Sequence, residues 1–144
     1  MIDYYKISQI LIRVHPRPIF KGVRMNIALW IVQGLLAVAF LMAGGMKLTQ
    51  PKEKLATNMA WVEDFSQNAI RIIGLLEVLG AIGLILPWAL TILPELTGVA
   101  AIGLVLTMIG AAITHVRRSE MQMVVPNIVL GALAAFVAVG RLFL

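Results

Sequence analysis

Cysteine is absent from the 144 residues, which removes disulfides, thiolate nucleophiles, Cys-ligated zinc and iron–sulfur clusters from anything this chain does alone. Charge is scarce too: Asp, Glu, Lys and Arg make up 13% of the chain against 60% hydrophobic residues, too little to clothe a water-soluble domain of this length. The only histidines are His15 and His115. No His pair at i, i+4 offers a metal site, no Gly-rich phosphate loop follows a strand, and no Ser–His–Asp set stands on suitable scaffolding. The histidines are expected on opposite membrane faces, which argues against bis-His haem, and the eight methionines form no metal box. The apolar runs lack a period of two, so a β-barrel is excluded.

What is present is a set of long uncharged runs: Met25–Met46, Val78–Pro94, Leu96–Thr114 and Met121–Gly140. The second extends upstream through Glu77 to about Ala69, because Ile72, Ile73, Leu75 and Leu76 continue the pattern. Four transmembrane helices are predicted, near 27–46, 69–87, 96–115 and 124–142, in one compact all-α bundle. The first run is too long for a signal-peptide core and is followed by Lys47, so it is read as a retained helix. Small residues recur in all four, among them Gly80 with Gly83, Gly103 with Gly110, and Gly131 with Ala135, and favour close helix packing in lipid.

Two further segments have amphipathic character. Ile7, Ile10, Leu11 and Val14 share a face before Pro16 and Pro18, so residues 1–24 are expected to be an interfacial extension ahead of a membrane domain at 25–144. Between the first two spans, Pro51 opens a short predicted helix carrying Leu55, Met59 and Val62, with Trp61 as a headgroup anchor, and this linker is expected to cap the bundle. Basic residues gather at span ends, where they meet anionic lipid; the net charge of +5 therefore needs no nucleic-acid partner. Counting Lys and Arg on the two sides gives a tie. Four basic residues just ahead of the first helix favour a cytoplasmic N-terminus, testable by a reporter fused at Leu144; a biological start at Met25 would reverse the assignment.

One charge is left inside. Glu77 lies about 12 Å along its helix from Ala69, where a charged acid costs roughly 2.5 kcal/mol or more unless it is protonated, paired or wet. The topology puts Lys47, Glu77, Thr114, His115, Arg117 and Asn127 in one half of the bundle. The sharper reading is a polar pocket under the 47–68 linker with Glu77 at its base, Lys47 beside it, and Thr114, His115 and Asn127 as further members. The plainer one is a Lys47–Glu77 ion pair that fixes register, with His115 an ordinary interfacial residue. Arg71 with Glu63 or Asp64 is read as surface pairing, Gln33 as an interhelical hydrogen-bonding residue, and Trp30 and Trp88 as interfacial anchors.

These residues also resemble a known family. Phe40-Leu41-Met42-Ala43-Gly44-Gly45-Met46-Lys47-Leu48, then Pro51, the Trp61 linker, Gly74-Leu75-Leu76-Glu77-Val78-Leu79-Gly80, and Gly110-Ala111-Ala112-Ile113-Thr114-His115 with Asn127 downstream look like the DoxX-like membrane proteins, over about residues 26–144. The resemblance implies a four-helix membrane bundle and an association with redox or thiosulfate:quinone oxidoreductase systems. The thiol chemistry of similar folds does not carry over to a chain without cysteine. The first functional expectation is an accessory subunit of a redox or quinone-linked system, with a quinone as the ligand implied by analogy. The alternatives are a scaffold or assembly factor that binds other membrane subunits or copies of itself, and a proton-coupled carrier.

Overall fold

The computed structural model describes residues 19–144, and the amphipathic segment expected at residues 3–14, with His15, lies outside them. The described chain is helical, without strands. α1 spans Ile19–Thr49, α2 Lys52–Ala56, a 3-10 turn follows at Ala60–Asp64, and then come α3 (Gln67–Ala89), α4 (Glu95–Arg117) and α5 (Met121–Phe143). The four long helices are each apolar enough to cross a bilayer.

Every span is longer than the sequence reading placed it. Hydrophobicity marks the membrane-crossing part of a helix, but the helix continues until something breaks it. Among the described residues α1 already runs from Ile19 rather than from near 27, because nothing between Ile19 and Asn26 opposes a helix more strongly than Gly22. Its 31 residues reach about 46 Å, well beyond a hydrocarbon core of about 30 Å. At the other end Pro51 disfavours helical backbone at Gln50 and closes α1. The Ser66 hydroxyl caps α3 by accepting from the Ala69 amide at 3.2 Å. The expected single linker helix is broken at Thr57–Asn58, so Leu55 and Val62 come from a helix and a 3-10 turn respectively. Both are nevertheless buried with Ile70 of α3, and Met59, Trp61 and Phe65 pack around them. The linker thereby lies against the start of α3.

The helices form a closed ring in which α1 packs on α3, α3 on α4, α4 on α5, and α5 back on α1. Leu36 and Phe40 of α1, Leu84 of α3, Leu104 and Met108 of α4 and Val137 of α5 meet in the shared core. Outside it, Ile31, Leu35, Val38, Leu79, Leu106 and Val125 are exposed. A belt of large apolar side chains on the outside of a packed bundle is unfavourable in water and natural in lipid. The chain is a small multi-pass membrane protein.

At the glycines, the closest approach to another helix's backbone is one the small-residue pattern does not single out. A Cβ on Gly44 would sit 2.6 Å from the Gly74 carbonyl oxygen, and one on Gly74 would sit 2.8 Å from the Gly44 carbonyl oxygen. Backbone meets backbone there, so α1 and α3 touch at two glycines. Of the pairs expected to pack, Gly80 and Gly83 do abut α4 side chains, whereas Gly103 and Gly110 face open space.

Candidate functional site

The Gly44–Gly74 contact sets the position of the two charges. Lys47 is one turn beyond Gly44, and Glu77 is three residues beyond Gly74; a Cβ on Gly44 would be 3.0 Å from the Glu77 Cβ and one on Gly74 would be 2.8 Å from the Lys47 Cβ. With the helices this close, the Lys47 ammonium donates to both Glu77 oxygens, at 2.7 and 2.6 Å. Both residues are buried, at 6% and 3% exposure, so the charges neutralise each other where water cannot. The Lys47 Nζ also lies 5.7 Å from the centroid of the Trp61 ring, which is set edge-on to Phe65. Trp61, expected at the headgroups, thus faces inward over the pair.

Below that pair a cavity of about 740 Å³ runs between α3 and α4. Leu76, Leu79, Gly80, Gly103, Leu104 and Leu106 give it apolar walls. Lys47, Glu77, Thr114, His115 and Asn127 all line it, with Trp61 and Phe65 at the same end. Three of the polar groups are already engaged. The Thr114 hydroxyl donates to the Gly110 carbonyl at 3.0 Å, the Asn127 amide donates to the Met123 carbonyl at 2.7 Å, and His115 Nδ1 is 2.7 Å from Glu120 Oε2. A Cβ on Gly103 or Gly110 would meet nothing within 4 Å, because both glycines border this space.

A second cavity of about 670 Å³ lies between the linker and the α4–α5 turn, bounded by Asn58, Met59, Ser119 and Gln122. Lys47, Trp61 and His115 line both cavities and therefore stand between them. Ionic contacts tie the linker to the α4–α5 turn beside the outer one, with partners other than those expected from the sequence. Glu63 and Asp64 pair with Arg118, not Arg71: Arg118 Nη1 donates to Asp64 at 2.6 Å, Nη2 to Glu63 at 3.4 Å, and Nε to Glu120 at 2.7 Å. Hydrogen bonds from Arg118 and then from His115 hold the Glu120 carboxyl below its ordinary value of 4.5. Among the described residues no group of three His, Asp or Glu is placed to hold a metal ion.

The other end of the bundle holds a second buried charge that the hydrophobic pattern does not reveal. Arg141, counted as a flanking charge, is 7% exposed. Its Nε donates to Gln33 at 2.7 Å and its Nη1 to Asn26 at 2.7 Å, while Gln33 donates in turn to the Leu84 carbonyl of α3. Trp30 and Trp88, expected as interfacial anchors, flank the guanidinium. The signal was the helical stripe Ala134, Val137, Ala138, Arg141, each buried and each three or four residues from the next or adjacent to it.

A family model described as the DoxX-like family matches residues 31–137, a stretch that contains every residue of the groove but neither Asn26 nor Arg141. No curated protein and no solved structure matches the chain.

Proposed function

The chain belongs to the DoxX-like family, and we propose that it is a small subunit of a redox or quinone-linked membrane system whose α3–α4 groove holds a lipophilic ring compound, a quinone above all. The observation that carries this reading is the groove itself: apolar walls within the lipid-facing part of the bundle, leading to one charged pair under the Trp61 ring. A few convergent polar groups at the end of an apolar cleft suit a ligand that is apolar along its length and polar at its head.

The Lys47 ammonium has three donors, and the two spent on Glu77 leave one for a ring carbonyl. Glu77 is the group that accepts a proton from, or returns one to, a bound ring hydroxyl, and Lys47 stabilises its charged form. His115 and Lys47 border the outer cavity as well as the groove, which gives protons a route from the linker side. The chain's own part is to hold the ring and exchange protons with it. We place it in the cell membrane with a cytoplasmic N-terminus, an orientation that the Leu144 reporter tests.

Glu77→Gln keeps the side chain's size and removes its charge. Decylubiquinone is expected to raise the thermal stability of the detergent-solubilised wild type and to leave Glu77→Gln unaffected, with both showing the same helical circular dichroism. Equal stabilisation of the two proteins would refute a role for the carboxylate in binding.

A further inference from the structure

We propose that the opposite end of the bundle binds a phosphate oxyanion at Arg141. The two charged ends of this protein are built differently. Lys47 is buried against a carboxylate, whereas every hydrogen-bond partner of Arg141 among the described residues is neutral: the Gln33 and Asn26 side-chain oxygens, each at 2.7 Å. Trp88 and Trp30 add their ring faces, with centroids 4.0 and 5.5 Å from the guanidinium carbon. Aromatic faces and amide oxygens offset part of the cost of burying a cation, but they carry no net negative charge.

Two donors there remain unmatched. Arg141 Nη2 is buried with no hydrogen-bond partner, and so is the Thr97 hydroxyl. Thr97 is in the first turn of α4, and a Cβ on its neighbour Gly98 would meet Leu142 at 2.4 Å, so the first turn of α4 lies against the last turn of α5 that carries Arg141. Gln33 cannot turn to serve Nη2, since its amide is committed to the Leu84 carbonyl. Asn26 is exposed at the rim and its amide nitrogen is a further donor. An Arg fork between two aromatic rings, with the Asn26 amide on it and the Thr97 hydroxyl in the adjoining turn of α4, offers donors and a positive charge to a tetrahedral oxyanion.

Position selects the class of anion. Arg141 is in the last turn of α5, a helix whose 23 residues span about 34 Å, and is level with the first turn of α4, so it lies at headgroup depth. The oxyanion abundant there is the phosphate of an anionic phospholipid, and free phosphate offers the same chemistry from the water side.

The test uses the full chain in neutral detergent and phosphate-free buffer, with thermal unfolding followed as short-chain phosphatidylglycerol, inorganic phosphate or short-chain diacylglycerol is added. Asn26→Asp is the informative variant, because it sets a carboxylate against Nη1 at an exposed position and satisfies the cation from within. Phosphatidylglycerol is expected to stabilise the wild type saturably, with an apparent Kd at least about tenfold weaker in Asn26→Asp, whose unliganded stability is equal or higher. Arg141→Lys, which keeps the charge but not the fork, is expected to weaken binding similarly. A response to phosphatidylglycerol alone identifies a lipid headgroup, and a matching response to inorganic phosphate identifies the free anion. No response to either, a response equal to that of diacylglycerol, or one unchanged in both variants overturns the proposal. None of these outcomes depends on Glu77 or the groove.

Discussion

At the scale of single residues, Lys47 and Glu77 matter more as a pair than either does alone. Removing one partner of a buried ion pair leaves an uncompensated charge, at a cost of about 3–5 kcal/mol, whereas replacing both with apolar groups is often neutral. Lys47→Met is accordingly expected to lower stability in a reversible detergent unfolding titration, and Lys47→Met combined with Glu77→Leu to recover most of the loss. A double variant as unstable as the single one would mean that the pair is not the source of the effect. Glu77 was legible in the sequence because an acid eight residues inside a span is rare and expensive. Lys47 was legible because the topology returns the end of the first span to the start of the second. Arg141 was not: a basic residue near the end of a span ordinarily snorkels to water, and only the burial of the whole stripe from Ala134 shows that it turns inward. The Gly44–Gly74 contact was hidden for a similar reason, since many small residues are scattered through the spans and sequence alone does not say which face each other.

At the scale of elements, the linker over the groove is seated on α3 by its buried cluster and tied to the α4–α5 turn by charges. Its 3-10 turn is tied through Glu63 and Asp64 to Arg118, and Arg118 is tied to Glu120, which also meets His115. Glu120 is held below its ordinary value, so it is charged in the folded protein wherever it would be charged unfolded. Its contribution is therefore complete above about pH 4.5 and is lost as the pH falls through its lowered folded value. A spin label at Asn58→Cys, on the rim of the outer cavity, is expected to be ordered at neutral pH and to loosen reversibly as the medium is acidified below that point, and to be loose at neutral pH in Arg118→Gln. A label equally ordered in both proteins and at both acidities would show that these contacts do not hold the linker. The existence of the linker element was legible from Pro51 and the Leu55, Met59, Val62 spacing. Its break at Thr57–Asn58 and its ionic partner were not, because Arg118 is 54 residues from Asp64 and only the folded topology brings the two together.

At the scale of the molecule, four spans close into a ring that is tight where α1 meets α3 and opens into a groove along the part of the α3–α4 seam that carries Glu77 and His115. The span count and up-down order followed from the hydrophobic runs and the short connections, because lipid requires each crossing segment to satisfy its own backbone. The groove did not, since Gly103 and Gly110 read as packing residues and prove to be its floor. A cleft left open to lipid in an otherwise close-packed bundle is the feature on which the functional reading rests. Gly103 offers the most direct test, because it borders the groove and a Cβ there would meet nothing within 4 Å. The measurement is decylubiquinone-dependent thermal stabilisation of Gly103→Leu beside the wild type. The account predicts an unchanged bundle without ligand, a wild type stabilised by about 2.7 kcal/mol when free ligand is about 100 times its Kd, and no stabilisation of Gly103→Leu. Equal stabilisation of the two proteins, or stabilisation of neither, would contradict it.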